Sequence, residues 1–252
     1  MSILAYHMVD NRFDLGVTRV KPAQFHRQVE SALQEGFLFQ TISEYLFAGN
    51  EHPKRVALTF DDGYESVYTY AYPILTRYNL PATVFVSPNF MGKLNTWDVN
   101  LGGLKFRHMN WEQLKEVTTA GWEAGSHTMN HRDLTRLSPE SRKKELLESR
   151  DILNANVHNF KYIVAYPFGN SNAQVVQDCL ELGYRAGLIM GASRSKMPDV
   201  FATPRIGMYL WDTLVSFRHK LYGRNMWFYN TLQDAINVCS DCTVLIKKSS
   251  WT

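Results

Sequence analysis

Two adjacent carboxylates, Asp61 and Asp62, sit where a strand-like apolar run, Val56 to Phe60, gives way to a turn at Gly63. Side chains alternate between the two faces of a strand, so neighbouring acids at its end point in different directions. The two carboxylates can therefore take different chemical roles. Because Asp-Gly is also a common turn sequence, the pair alone does not distinguish a turn from a catalytic site.

Two histidines, His127 and His131, follow much later in the chain with four-residue spacing. That spacing is expected to place both imidazoles on one face of a helical turn. One carboxylate and two imidazoles can supply three protein ligands to a divalent cation and leave positions open. The other carboxylate could then act as a base on water bound to the cation, as metal-assisted hydrolysis requires. The sequence therefore predicts a metal-dependent hydrolase.

The alternation of short apolar runs with helical segments indicates βα units around a parallel sheet. The strand candidates are Ile3 to Tyr6, Phe37 to Ile42, Val56 to Phe60, Ala82 to Val86, Trp122 to Ser126, Tyr162 to Tyr166 and Tyr184 to Ile189. The helix candidates are Pro22 to Glu35, Ser66 to Tyr78, Trp111 to Ala120, Ser138 to Asn154, Asn172 to Leu182, Leu214 to Tyr222 and Tyr229 to Cys239, with a last strand at Thr243 to Ile246. We predict one α/β domain over residues 1–252, a distorted (β/α) barrel of about seven parallel strands.

In such barrels the chemistry lies at the carboxyl ends of the strands. Four motifs follow strand candidates: His7, the Asp61-Asp62 pair, His127, and the segment Tyr166-Pro167-Phe168-Gly169. We therefore expect these motifs to share one rim of the barrel. The irregular stretch from Ser87 to Met109 is long enough to be a functional loop beside them.

Composition narrows the class of protein. The 252 residues are 45% hydrophobic and carry a formal net charge of +3, without a long basic run, so nucleic acid is not an expected partner. No apolar stretch is long enough to span a membrane, and the first residues lack the pattern of a signal peptide. A cytoplasmic location is the expectation, with an exported form whose signal was removed as the alternative.

Three cysteines, Cys179, Cys239 and Cys242, do not make a disulfide framework. Cys239 and Cys242 have the spacing of a zinc or redox pair, but without a second pair they are expected to be ordinary thiols.

The combination of Thr59-Phe60-Asp61-Asp62-Gly63, Ser126-His127 with His131, and Tyr166-Pro167-Phe168-Gly169 resembles the polysaccharide deacetylase family, also called NodB-homology domains or carbohydrate esterase family four. The resemblance extends from about Val56 to Arg205. It implies a distorted (β/α) barrel that removes acetyl groups from N-acetylated sugars with a metal ion, usually Zn²⁺. It also implies Asp61 as the catalytic base, and Asp62, His127 and His131 as metal ligands. The backbone N–H of Phe168, in the loop with Tyr166 and Pro167, would stabilise the oxyanion.

Two positions depart from the common family pattern. The histidine that usually donates the proton has no counterpart in Val244 to Lys248, and His7 is the candidate instead. Tyr6-His7 resembles a subset that includes exopolysaccharide deacetylases, in which an early Tyr-His supplies this acid; Asp199 or Asp212 could orient it. Ala165 stands where the family has an arginine that orients the base. Arg205, in Thr203-Pro204-Arg205-Ile206, could reach in from a later strand and replace that arginine, or it could form a surface ion pair.

Several alternatives stay open. Two histidines and a carboxylate also describe non-haem iron oxygenases, although these generally use an all-β scaffold. An O-acetyl esterase, an N-deformylase, and a barrel that binds glycan without turnover are further possibilities. Co²⁺, Ni²⁺, Fe²⁺ or Mn²⁺ could replace Zn²⁺, and the acceptor sugar and oligomeric state are open.

Trp97 and Trp211 are candidate sugar-stacking residues. The other histidines, His26, His52, His108, His158 and His219, are expected to be structural or solvated.

Overall fold

A parallel barrel surrounded by helices forms the fold in the computed structural model, which describes residues 2–12, 17–49, 52–96, 105–191 and 199–223. The strands are β1 (Ser2–Tyr6), β2 (Met8–Val9), β3 (Arg19–Val20), β4 (Leu38–Gln40), β5 (Arg55–Phe60), β6 (Thr83–Val86), β7 (Glu123–Ser126), β8 (Phe160–Ala165), β9 (Ala186–Met190) and β10 (Thr203–Gly207). The α-helices are α1 (Pro22–Gln34), α2 (Ile42–Phe47), α3 (Tyr72–Arg77), α4 (Trp111–Thr119), α5 (Pro139–Asn156), α6 (Ala173–Glu181) and α7 (Leu214–Leu221).

Seven strands close the barrel in the order β1-β10-β9-β8-β7-β6-β5, and pairing of β5 with β1 completes the ring. All of these pairs are parallel. The strand β4 pairs with the first half of β5 and lies outside the ring, while β2 and β3 form a separate parallel pair. The predicted distorted (β/α) barrel of about seven strands is confirmed.

Two strand predictions need correction. The candidate Phe37 to Ile42 contains β4, which is not a barrel strand, and the seventh barrel strand is β10, which the sequence candidates omitted. Pro204 lies inside β10 and pairs with Ile189. Proline cannot donate a ladder hydrogen bond and so weakens the strand pattern of this segment, which the sequence analysis named only as the later strand that could carry Arg205.

Six of the seven α-helices in the described ranges agree with the sequence patterns, including α7 in the predicted Leu214 to Tyr222 region, whereas α2 was not predicted. The predicted helix Ser66 to Tyr78 begins with a π-helical turn, Val67–Ala71, before α3. Pro73 lacks a backbone N–H, which disturbs the regular pattern at this junction. None of the helices in the described ranges combines the length and apolar character that crossing a bilayer requires. The predicted elements Tyr229 to Cys239 and Thr243 to Ile246 lie outside the described residues.

The core has two layers that follow the alternation of side chains along the strands. A small inner cluster inside the barrel includes Ile3, Ala57, Phe85, Ile163 and Leu188. A larger outer cluster packs the other strand faces against the surrounding helices. Thr59 and Asp61 therefore share the inner face of β5 with Ala57, because they are two and four residues farther along the strand direction.

Helix α2 closes the amino end of the barrel. Its first backbone N–H groups donate to side chains of the barrel, that of Ile42 to Thr83 Oγ1 at 2.9 Å and that of Ser43 to Glu123 Oε2 at 3.1 Å. A negative carboxylate at a helix amino terminus is electrostatically favourable. Because α2 covers the amino ends of the strands, a reaction site can form only at their carboxyl ends.

Candidate active site and metal centre

Strand register brings His7 level with Asp61. In the parallel pair of β1 and β5, Tyr6 lies opposite Phe60, and the N–H of Asp61 donates to the carbonyl of Tyr6 at 2.8 Å. His7 and Asp61 are each the next residue after this pair. The imidazole of His7 is close enough to act electrostatically on Asp61 and Asp62. Its Nδ1 atom is buried and has no hydrogen-bond partner among the described residues.

Asp61 is paired with Arg205, which reaches it from β10. Arg205 Nη1 and Nη2 donate to Asp61 Oδ1 and Oδ2 at 2.6 and 2.7 Å, and Nη1 also contacts Thr59 Oγ1 at 3.1 Å. The guanidinium lies over the ring of Phe85 and is fully buried, so this is not a surface ion pair. Burial alone would raise the pKa of Asp61, but Arg205 and the neighbouring imidazoles lower it. Asp61 is therefore ionised at neutral pH.

Asp62 points away from Asp61 because its backbone is left-handed, with φ of 65°. The side chain turns toward the loop after β7, where Asp62 Oδ1 lies 3.4 Å from His127 Nε2 and 3.3 Å from His131 Nε2. The ligand atoms of the three residues all lie within 4.8 Å of one another. The two halves of the predicted metal shell are thus brought together.

The predicted helical turn from His127 to His131 is wrong. Thr128 and His131 have left-handed backbones, with φ of 62° and 53°, and the segment is a loop. Side chains hold it in place of helical hydrogen bonds: Ser126 Oγ accepts from the N–H of Thr128, and Glu145 accepts from the N–H of Asn130. The imidazoles converge because of this loop geometry, with ring centroids 4.7 Å apart.

The three residues fit a divalent cation. His127 Nδ1–H donates to the carbonyl of Ala165 at 2.7 Å, which leaves the lone pair of Nε2 facing Asp62. Asp62 Oδ1 is buried and has no hydrogen bond from the described part of the chain. An unpaired buried carboxylate oxygen facing a nitrogen lone pair is costly unless a proton or a cation lies between them.

Burial and neighbouring charges shift the pKa values of the three residues in different directions. Burial alone would raise the pKa of Asp62, but the nearby imidazoles hold it well below its usual range. Burial lowers the pKa of His131 to about 3, against the attraction of Asp62. His131 is therefore a neutral imidazole at pH 7, the form that binds a metal. For His127, burial opposes the charged form, but the contacts with Asp62 and Asp61 outweigh it and raise the pKa.

The loop after β8 closes over His131. The ring of Phe168 packs edge-to-face on His131 with centroids 5.0 Å apart, and Phe168 has a left-handed backbone with φ of 60°. Tyr166, by contrast, points outward from the barrel, is fully buried, and donates from its hydroxyl to the carbonyl of Phe201 at 3.2 Å. The side chain of Tyr166 therefore cannot contact a substrate, and it anchors the loop that carries Pro167 and Phe168.

His108 belongs to the site, which the sequence analysis did not predict. It is buried, and its Nδ1–H donates to the backbone carbonyl of Asp62 at 2.8 Å. Its ring stacks on Tyr64 with centroids 4.8 Å apart. Burial lowers the pKa of His108, so it is neutral and its Nδ1 proton is available to the carbonyl. The only sequence signal was its position in the long stretch from Ser87 to Met109.

Comparison with known proteins agrees with this geometry. The sequence model described as polysaccharide deacetylase matches residues 48–187, which is more than half of the chain. The chain belongs to the polysaccharide deacetylase family. A poly-β-1,6-N-acetyl-D-glucosamine N-deacetylase of Staphylococcus aureus (strain MSSA476) is 31% identical over 186 residues, covering 69% of this chain and 60% of that protein. The chain thus matches less than two thirds of the length of that curated relative.

Solved structures show the same fold. The Streptococcus pyogenes deacetylase PplD, in complex with acetate, has a TM-score of 0.74 and 27% identity, covering 88% of this chain and 97% of PplD. IcaB from Ammonifex degensii has a TM-score of 0.73 at 22% identity, covering 88% of this chain and 96% of IcaB, and shows likeness of fold.

The remaining predicted residues of this deacetylase family member are placed as follows. Asp212 does not orient His7, because its two oxygens accept hydrogen bonds from Ser216 and Lys220. The side chain of Asp199 is outside the described residues, and so are Trp97, Cys239 and Cys242. Trp211 is 40% exposed after β10 and stacks on Tyr209 with centroids 5.4 Å apart. Its role in sugar stacking stays a prediction.

Proposed function

We propose that this chain is a metal-dependent hydrolase that removes N-acetyl groups from a saccharide and releases acetate. The observation that carries the proposal is the meeting of Asp62, His127 and His131 around one point, with the ionised Asp61 beside them. Membership of the polysaccharide deacetylase family supports it, and so does the named activity of the S. aureus relative. Water adds to the amide carbonyl carbon, the C–N bond breaks, and the products are acetate and the amino sugar.

Asp62, His127 and His131 would hold the cation. One carboxylate oxygen and two imidazole nitrogens suit Zn²⁺, and Co²⁺, Ni²⁺, Fe²⁺ or Mn²⁺ can take the same donors. When bound, the ion supplies Lewis-acid activation of the attacking water and of the acyl oxygen. His127 is oriented for this task by its hydrogen bond to Ala165.

Asp61 is the proposed base that accepts a proton from the attacking water. Arg205 holds both carboxylate oxygens, so it fixes the direction in which Asp61 faces the substrate and keeps it ionised. His7, level with Asp61 on the neighbouring strand, is the proposed acid that gives a proton to the departing nitrogen. The backbone N–H of Phe168 is the proposed donor to the oxyanion; removal of one such donor typically costs about 3 kcal/mol of transition-state stabilisation.

The direct test is release of acetate from an acetylated chito-oligosaccharide, measured by mass spectrometry of the sugar with the protein and added divalent cation. We expect loss of acetyl groups, abolition of that loss by a chelator, and recovery when the cation is restored. Turnover that is unaffected by thorough chelation would contradict a metal-dependent reaction. O-acetylated and N-formylated sugars in the same assay test the esterase and deformylase alternatives.

Two further outcomes would replace the proposal. Binding of every glycan without turnover, in protein loaded with cation, would indicate a glycan-binding barrel. Oxygen consumption that depends on a 2-oxo acid would indicate an iron oxygenase.

A further inference from the structure

The rim around the candidate active site is basic. We define the rim as the described loops that follow the barrel strands, residues 7–12, 61–66, 87–96, 105–110, 127–138, 166–172 and 208–213. Every exposed charged side chain in these loops is basic: Arg12, Lys93, Lys105, Arg107, Arg132 and Arg136. The acids of the same loops are buried or, for Glu65, partly buried. The side chains of residues 13–16, 97–104 and 192–199 lie outside the description, and the sequence has three acidic and two basic residues there.

Two of these cations are neutralised within the protein. Arg12 contacts buried Asp10 at 2.6 Å, and Arg136 contacts buried Asp133 at 3.1 Å. The other four, Lys93, Lys105, Arg107 and Arg132, form no ion pair with a carboxylate in the part of the chain that the structure describes. An excess positive charge therefore faces solvent at the rim.

The excess charge lies next to the reacting groups. Arg132 directly follows His131, and Arg107 directly precedes His108, whose Nδ1–H reaches the carbonyl of Asp62. Arg107 Nη1 donates to the carbonyl of Gly92 at 2.6 Å, so its guanidinium has a defined position.

Lys93 is tied to the same region by a short chain of hydrogen bonds. Its Nζ donates to Asn89 Oδ1 at 3.1 Å, and Asn89 Nδ2 donates to Asn130 Oδ1 at 2.7 Å, beside His131. Lys93 and Arg107 also lie on adjacent antiparallel segments, because the N–H of His108 donates to the carbonyl of Lys93 and Leu94 pairs with Arg107. Lys93 and Arg107 thus have defined positions in loops of the rim.

We propose that the substrate is an anionic glycan, in which units beside the acetylated sugar carry phosphodiester or carboxylate groups. This inference rests on the proposed function and names the substrate class of that same site. Clustered charge of one sign at a cleft raises the local concentration and the association rate of ligands of opposite sign. Guanidinium groups match phosphate and carboxylate oxygens in bidentate geometry. A polymer that had already gained many free amines is cationic, so the same surface would repel it.

Binding of fluorescent oligosaccharides of equal length tests the proposal, with Asp61→Asn protein to prevent turnover. The probes are a neutral chito-oligosaccharide, an oligomer alternating N-acetylhexosamine with uronic acid, and an N-acetylhexosamine oligomer that carries phosphodiesters. We expect at least one anionic probe to bind about 10-fold more tightly than the neutral one at low salt. The advantage should shrink as the ionic strength passes 0.15 M, where the Debye length is about 8 Å. The stronger anionic probe identifies the charged group.

Charge reversal locates the binding surface. The double variant Lys93→Glu/Arg107→Glu should lower the ratio of anionic to neutral affinity by about 10-fold. Arg132→Glu is an independent variant, since the side chain of Arg132 makes no hydrogen bond to any described residue that a reversal would break. Lys144→Glu is the matched control, because Lys144 is 70% exposed on α5, outside the barrel, and should leave the ratio unchanged. Thermal melting verifies that each variant is folded.

Equal affinity for neutral and anionic probes, affinity independent of salt, or a ratio unchanged in both rim variants would overturn the inference. Failure of the proposed hydrolysis is distinguishable from these results. It would show as no acetate from any probe with wild-type protein and cation, while the preference for anionic probes persisted.

Discussion

Arg205 and Asp61 form a buried bidentate ion pair across the interior of the barrel, with distances of 2.6 and 2.7 Å. The guanidinium comes from β10 and the carboxylate from the end of β5, and β1 lies between these strands in the ring. The family usually has an arginine at the position of Ala165. In this chain a guanidinium from a distant strand, that of Arg205, contacts Asp61 instead. Removal of either partner leaves an uncompensated charge in the interior, which is strongly destabilising.

Replacement of Arg205 should therefore affect both stability and activity. We expect Arg205→Ala to reduce the free energy of unfolding by about 3 to 5 kcal/mol, measured by chemical denaturation. The matched control is Arg218→Ala, whose guanidinium is 52% exposed beside Glu35 and should cost less than about 1 kcal/mol. Equal losses for the two variants would show that the buried pair does not stabilise the fold.

The two adjacent aspartates should separate catalysis from metal binding. We expect Asp61→Asn to retain the cation and lose turnover, because it keeps the shape of the side chain but not the base; thermal melting verifies its fold, since the charge of Arg205 is left unpaired. Asp62→Ala should lose the cation as well, because Asp62 contributes the carboxylate oxygen nearest both imidazoles. Elemental analysis of the purified variants, beside acetate release, measures the two effects. Full turnover by Asp61→Asn would show that another group is the base.

His7→Ala should slow turnover by about 10²- to 10⁴-fold, the usual contribution of a general acid, with metal content unchanged. The reason is its position level with Asp61 on the neighbouring strand. The comparison uses kcat for acetate release and elemental analysis. An undiminished rate would make His7 a packing residue at the end of β1.

His108 should act by positioning Asp62. His108→Phe keeps an aromatic ring on Tyr64 but removes the Nδ1–H donor to the carbonyl of Asp62. We expect a loss of metal affinity of about 10- to 100-fold, the range found for outer hydrogen bonds at metal sites. His26→Phe is the control, because His26 contacts Tyr78 on the outer helices. Isothermal titration with the cation gives the affinities, and equal values for wild type and His108→Phe would exclude the positioning role.

The barrel and the main site residues were predictable because short sequence patterns indicate each of them. The βα alternation predicted the fold, and the strand-end positions of Asp61, Asp62 and His127 predicted a shared rim. The conformation of the loop from His127 to His131 was not predictable from spacing, because left-handed residues and side-chain hydrogen bonds override helical periodicity there. The contact of His108 with Asp62 depends on long-range antiparallel pairings, Tyr64 with His108 and Leu94 with Arg107, that the sequence does not mark.

The sequence left two possibilities for Arg205, replacement of the family arginine or a surface ion pair, because the contact that decides between them is long-range. Its contact with Asp61 requires β10 to lie beside β1 and β1 beside β5, which is a property of the closed ring. A later strand at Thr203 to Ile206 was suggested by the sequence, but its position in the ring was not. The outward direction of Tyr166 follows from the alternation of side chains along β8, since Ala165 faces the barrel interior.

Closure of the ring by the first strand has a consequence for biosynthesis. The edge of β1 that receives β10 stays open until the ribosome has added the last barrel strand, nearly 200 residues later in the chain. Asp61 leaves the exit tunnel long before Arg205, so the nascent polypeptide carries an unneutralised acid at what becomes the barrel interior. The proposed active site can therefore be completed only after β10 has joined β1.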